Sequence, residues 1–170
     1  RDHCVTGVQT CALPIYEVSD FETIQIIGAG GTARAAAAAI DAPGRKITVI
    51  SRSSSRESDM RNAVTMSKLE FTDWSSKELS ADLVINTTPK NAADNFEGDH
   101  GVLFESLYEP WPTKLASTWQ GKVIDGLELL VHQAVDQLHL MTGMVIDRTK
   151  MAKILRVAGE AELKERNSLA

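Results

Sequence analysis

The stretch Ile24–Ile40, IQIIGAGGTARAAAAAI, decides how the rest of the chain is read. It opens as a β-rich run that stops at Gly28. It closes in alanines, the strongest helix formers. Between them, GAGGTA at 28–33 fits the pattern G-x-G-x-x-G/A. Strand, glycine turn and helix in this order begin a βαβ unit, and each small residue then has a task. Gly28 permits the tight turn out of the strand. Gly30 lets the backbone approach a pyrophosphate, and Ala33 lets the helix pack close to the sheet. The free N–H groups at the helix start, aided by the helix dipole, face an anion there. The alternative is a glycine turn used only for packing. The flanking strand and helix argue against it.

Working outward, KITVISR (46–52) is a second strand, and SSSRESDMRNA (53–63) reads as a polar turn and a short helix. VTMSKLEF (64–71) is a further short strand. ADLVINTTP (81–89) is a clear strand closed by Pro89, and NAADNFEGDHG (91–101) is a loop with one helical turn. GVLFESLYEP (101–110) is the next strand, broken by Pro110 and Pro112. KVIDGLELL (122–130) begins as a strand and passes through Gly126 into a helix reaching about Gly143. Asp147 is placed to cap a last helix running to about Lys164. Strands alternating with helices imply parallel pairing, and right-handed crossovers put helices on both faces. Strands rich in Ile and Val fit a sheet covered on both sides. The expected fold is α/β: a Rossmann-like, doubly wound, mainly parallel sheet with helices on both faces.

The end of the second strand discriminates between dinucleotides. A carboxylate there accepts hydrogen bonds from a ribose 2′-OH, the mark of an NAD site. This chain has SRSSSR at 51–56, about 20 residues beyond the glycine turn and without an acid. Arg52 and Arg56 suit a 2′-phosphate, and the serines offer further hydrogen bonds. NADP(H) is therefore the expected cofactor; a polar solvated loop is the alternative. Arg34, in the first turn of the glycine-loop helix, reads as an exposed helix arginine.

The 170 residues suffice for one domain with a real core. A net charge of −5 argues against a nucleic-acid surface. No apolar run is long enough to cross a bilayer, so no membrane partner is expected and a cytoplasmic location is the default. His132 and His139 lack metal-ligand spacing, and no metal is expected. Trp111 and Trp119 are expected to pack.

These motifs in this order resemble the shikimate dehydrogenase family, specifically its C-terminal NADP-binding half. GAGGTARA is similar to the family's glycine-rich loop, and SRSSSR to its Asn-Arg-Thr-x-x-Arg clamp, with Ser51 for Asn and Ser53 for Thr. VINTTP, ESLYEPWPTKLA and DGLELLVHQAVDQLHLMTG resemble three later family motifs, so that the resemblance covers roughly Ile24 to Leu155. It implies that Gly28, Ala29, Gly30, Gly31 and Thr32 hold the pyrophosphate and that Ser51, Arg52, Ser53 and Arg56 read the 2′-phosphate. Thr87 and Thr88 would lie beside the cofactor crevice, and Ser106 and Gly126 would offer backbone contacts near the nicotinamide. Tyr108 and Gln133 would hydrogen-bond shikimate or 3-dehydroshikimate, the small-molecule substrate of the intact parent. Glu105 departs from the family's Asp, and Lys114 from its Pro. On the residues alone, Tyr108 reads as a core-edge aromatic, and Gln133 as part of a polar helix face with Gln137.

The resemblance also implies a substrate domain ahead of this one, supplying a catalytic Lys and an Asp within an Asn-Thr-Asp motif. No lysine and no Asn-Thr-Asp precede Ile24. No catalytic residue is therefore assigned within the chain. Residues 1–15 instead resemble a translated sequencing-library adapter, VTGVQTCALPI at 5–15 above all, and they hold both cysteines, Cys4 and Cys11. The expected organisation is an artefactual, unstructured preface (1–16) and an NADP-binding domain with C-terminal helices (17–170), the N-terminal substrate domain missing. The helix that should precede the first strand would then be lost, leaving part of one sheet face uncovered. A quinate/shikimate relative, another NADP oxidoreductase such as a methylene-tetrahydrofolate dehydrogenase or glutamyl-tRNA reductase, and a non-enzymatic NADP-sensing module are the alternatives.

Overall fold

The computed structural model describes residues 21–169. The expected preface at 1–16 and its two cysteines lie outside these residues. The strands are β1 (Thr23–Ile27), β2 (Lys46–Ser51), β3 (Lys68–Asp73), β4 (Glu78–Leu79), β5 (Leu83–Asn86), β6 (Glu97–Gly98), β7 (Val102–Glu105) and β8 (Lys122–Ile124). The helices are α1 (Gly31–Ala39), α2 (Glu57–Ala63), α3 (Lys114–Thr118), α4 (Gly126–Thr142) and α5 (Arg148–Leu169). Six strands form one sheet in the order β3–β2–β1–β5–β7–β8, and every pairing in it is parallel. The chain winds outward from β1 to β3, then returns to the far side of β1 at β5. The crevice between β1 and β5 is therefore the point where the winding reverses, the place where open α/β sheets bind ligands.

Alternation along the strands divides the core in two. Ile24, Ile26, Ile47, Val49, Leu83 and Ile85 pack with Ala33, Ala36, Ala37 and Ile40 from α1 and Met60 from α2. The alanines carry little side-chain bulk, so α1 lies close to the sheet. Ile27, Ile50, Val84 and Leu103 belong to the other cluster, with Leu79, Phe96, Leu115, Ala116 and Trp119. One face is thus closed mainly by α1, α2 and Leu129 of α4, the other by short α3, the β4–β6 pair and loops.

Several expectations are corrected in detail. The strand in 64–71 begins only at Lys68 and runs on to Asp73. The 91–101 loop contributes β6, which pairs with β4 over two residues. The strand in 101–110 stops at Glu105, and the Pro-flanked segment beyond it forms α3, capped by Thr113 Oγ1 accepting from Ala116 N. Trp119 packs and donates Nε1–H to the Gly101 carbonyl, but Trp111 remains 42% exposed. The apolar side chains of β1, β2 and β5 are buried and those of β3 and β8 are partly buried; the exposed large apolar side chains include Met141, Val145 and Val157, at and beyond the end of α4 and on α5. Asp147 does cap α5, accepting from Lys150 N at 3.0 Å, though the helix extends to Leu169. Arg156 fastens α5 to the start of α4 through a two-pronged contact with Asp125 at 2.6 and 2.7 Å. Among the described residues, no helix is long and apolar enough to cross a membrane.

Candidate functional site

The ends of β1, β2 and β5 open onto one cleft of about 360 Å³. Gly28, Ala29 and Gly30 line it from β1, Ser51, Arg52, Ser53 and Arg56 from β2, and Thr87 and Thr88 from β5. Nine residues expected in one site from separate motifs therefore meet.

Gly28 takes φ +106°, a region L side chains avoid, and a Cβ there would lie 2.7 Å from Thr87 Oγ1. Its N–H donates to the Ile50 carbonyl at 2.9 Å, while Thr87 N and Oγ1 both donate to the Ile27 carbonyl. The turn is thus clamped between β2 and β5. Gly30 stands at the N-cap of α1 with no side-chain cap, and the first turn holds no acid. The opening N–H groups of a helix have no partner within it. Added Cβ atoms on Gly30 and Gly31 would meet nothing within 4 Å. Gly31 and Thr32 are exposed at this helix start, though outside the cleft lining. The result is an open row of N–H donors at the positive end of a helix, suited to an anion.

The β2 loop supplies the charge. Ser51 Oγ donates to the Ser53 carbonyl at 3.1 Å, and Ser53 Oγ lies 2.9 Å from Ser55 Oγ, so the serines brace one another. Arg52 and Arg56 line the cleft, and neither has a carboxylate partner among the described residues. No Asp or Glu lines the cleft. Arg34 pairs with Asp59 across 3.5 Å on the exposed side of α1, as its sequence position suggested.

The β5–β7 side is organised by a group that sequence reasoning treated only as a departure from a motif. Glu105 is fully buried. Asn86 Nδ2 donates to both of its oxygens at 3.0 and 2.8 Å, Leu107 N donates at 3.2 Å, and Thr113 Oγ1 at 2.9 Å. Asn86 Oδ1 in turn accepts from Thr88 N and Thr88 Oγ1. The chain of contacts runs from the buried carboxylate to the cleft wall. Burial pushes the Glu105 carboxyl above its ordinary value; the hydrogen bonds from Asn86, Leu107 and Thr113 oppose this in part.

The remaining expected residues lie away from the cleft lining. Ser106 and Gly126 adjoin: Ser106 N donates to the Asn86 carbonyl, Gly126 N to the Leu107 carbonyl, and a Cβ on Gly126 would collide with the Ser106 carbonyl. Tyr108 is exposed and Gln133 half-buried on α4. His132 Nε2 lies 3.1 Å from Glu128 Oε1 on the same helix. Among the described residues, no cluster of His, Cys, Asp or Glu is arranged to hold a metal ion. Sequence reasoning did not assign Ser55, Trp74 or Pro89 to the cleft lining. Trp74 was legible in principle: Ser51 and Asp73 are in parallel register, so the residues that follow them leave the sheet side by side.

Known proteins are similar to this chain in sequence and fold. The family described as shikimate 5′-dehydrogenase C-terminal domain matches residues 126–156. A shikimate dehydrogenase (NADP(+)) of Pyrobaculum aerophilum is 33% identical over 88% of this chain and 62% of its own length. That of Maridesulfovibrio salexigens is 30% identical over 76% of this chain and 52% of its own. The Mycobacterium tuberculosis shikimate dehydrogenase superposes with a TM-score of 0.70 at 26% identity, covering 90% of this chain and 61% of that one. The chain thus spans between half and two thirds of the length of these relatives. It belongs to the shikimate dehydrogenase family and corresponds to its C-terminal part.

Proposed function

We propose that residues 17–170 form the NADP(H)-binding half of a cytoplasmic shikimate dehydrogenase, which in its parent reduces 3-dehydroshikimate to shikimate. The observation that carries this reading is a cleft with an uncapped helix start and two arginines on its β1–β2 side and no carboxylate in its lining. Such a lining fits a pyrophosphate and a 2′-phosphate together; a carboxylate would repel the second. Gly28, Ala29, Gly30, Gly31 and Thr32 hold the pyrophosphate, Gly28 by shaping the turn, since its own N–H is given to the Ile50 carbonyl, and the others through backbone N–H groups. Ser51, Arg52, Ser53 and Arg56 hold the 2′-phosphate. Thr87 and Thr88 form the far wall, Ser106 and Gly126 border the nicotinamide, and Tyr108 and Gln133 face the substrate. Bound NADPH supplies the hydride. The developing alkoxide also needs a proton donor within hydrogen-bond reach. The family's Asn-Thr-Asp motif occurs nowhere in this sequence. The chain by itself therefore binds cofactor without turning over dehydroshikimate.

Fluorescence titration of the chain with NADPH and NADH tests the reading. NADPH should bind about tenfold or more tightly, the worth of charge-assisted contacts to one phosphate. Arg52→Met with Arg56→Met should erase the difference. Equal affinities in the wild type overturn the proposal, and turnover of dehydroshikimate by the chain alone overturns its second half.

A further inference from the structure

Trp74 follows the end of β3 and lines the cleft. Its ring is half-buried, meets Phe96 edge to face at 5.0 Å and 77°, and packs against the second core cluster. Arg52 Cζ lies 5.0 Å from the centroid of that ring. Lys77 Nζ lies 4.5 Å from it, but Lys77 is outside the cleft lining.

An electron-rich indole face attracts a guanidinium and favours a planar stack. The consequence differs from that of a carboxylate partner. A carboxylate neutralises the arginine and occupies its N–H donors. A ring orients the guanidinium while leaving its charge and its in-plane donors available. Arg52 stands on a serine-rich loop and has no acidic partner among the described residues, and the indole anchors its guanidinium. Ordering the arginine beforehand removes part of the entropy cost of gripping a ligand.

We propose that Trp74 is a specificity-determining residue of this cleft: it positions Arg52 toward a 2′-phosphate, so that discrimination for the phosphorylated nucleotide depends on an aromatic ring at the end of β3. The inference rests on the cofactor reading above and adds a residue to it.

Calorimetry on the full chain with adenosine 2′,5′-bisphosphate and 5′-AMP, which differ only in the 2′-phosphate, tests it. Trp74→Leu should weaken bisphosphate binding about fivefold while 5′-AMP binding stays within about twofold. Trp74→Phe preserves a ring against Phe96 and should fall between wild type and Trp74→Leu. In an Arg52→Met background, Trp74→Leu should cause no further loss of preference, because the ring acts through the arginine. Three outcomes would overturn the role: an unchanged preference in Trp74→Leu, an equal loss for both ligands, or additive losses in the double variant. Should Trp74→Leu fail to fold, a Trp74→Phe preference equal to or above that of the wild type is enough to reject it. A wild type that binds both ligands alike overturns the cofactor reading itself, and the two failures are thereby told apart.

Discussion

The two walls of the cleft are built on opposite principles. On the β1–β2 side, polar groups are left open: an uncapped helix start at Gly30 and two arginines without acidic partners among the described residues. On the β5–β7 side, they are closed on one another: Glu105 accepts from Asn86, Leu107 and Thr113, and Asn86 accepts from Thr88. One wall keeps its hydrogen-bonding capacity for a ligand. The other spends it internally and so fixes where the loop after β7 runs. A buried polar network rigidifies only when its members are satisfied, and this makes the closed wall the more fragile.

The strongest test of that contrast is Glu105→Ala. The substitution leaves the Asn86 amide, the Leu107 N–H and the Thr113 hydroxyl without their acceptor, and it opens a cavity. A loss of about 3 kcal/mol in urea unfolding is expected. A loss below about 1 kcal/mol would show that the wall relaxes and that its closure is not what holds the loop. Arg56→Met, on the open wall, should leave stability within about 0.5 kcal/mol of wild type while weakening NADPH binding.

Gly28→Ala joins the walls, because Gly28 lies on one and its missing Cβ faces Thr87 on the other. The positive φ and the 2.7 Å approach to Thr87 Oγ1 act together. A destabilisation of about 2 kcal/mol is expected in thermal or urea unfolding. Gly28→Ala combined with Thr87→Ser should recover little of it, since the hydroxyl oxygen remains. Thr87→Ala should recover part. If neither second change matters, backbone strain alone sets the cost.

What could be read from the sequence follows the same division. The open wall is local: GAGGTA and SRSSSR are consecutive residues whose types state their chemistry, and the alternation of Ile and Val in β1 and β2 places them at neighbouring strand ends. The closed wall is assembled from three segments, and Glu105 inside a strand-like run gives no sign that Asn86 and Thr113 will surround it. The same holds for α3, where a threonine cap and two packed side chains, Leu115 and Ala116, build a helix directly after two prolines, Pro110 and Pro112. Trp111 and Trp119 are indistinguishable in composition; only the tertiary contact to Gly101 separates the buried ring from the exposed one.

Two carboxylates carry the contrast into pH dependence. Asp41 follows α1 and holds the chain before β3. Burial works against its charge, but hydrogen bonds from Thr65, Ser67 and Met66 outweigh it and bring its pKa down to about 2. A depressed carboxylate contributes stability that is present above its unfolded value and lost as pH falls through the folded one. For Asp41 that window runs from about pH 4 down to about 2. Glu105 has the opposite sign. Its pKa is raised by burial, so its contribution is full below its ordinary value and lost as pH rises through the raised one. Urea midpoints of wild type, Asp41→Asn and Glu105→Gln across pH 2 to 8 separate the two. The gap to Asp41→Asn should shrink as the solution becomes acidic, whereas wild type should gain on Glu105→Gln over the same descent until the ordinary glutamate value is passed. Parallel profiles for Glu105→Gln would mean that the four donated hydrogen bonds cancel the burial entirely, and that the closed wall holds an ordinary carboxylate.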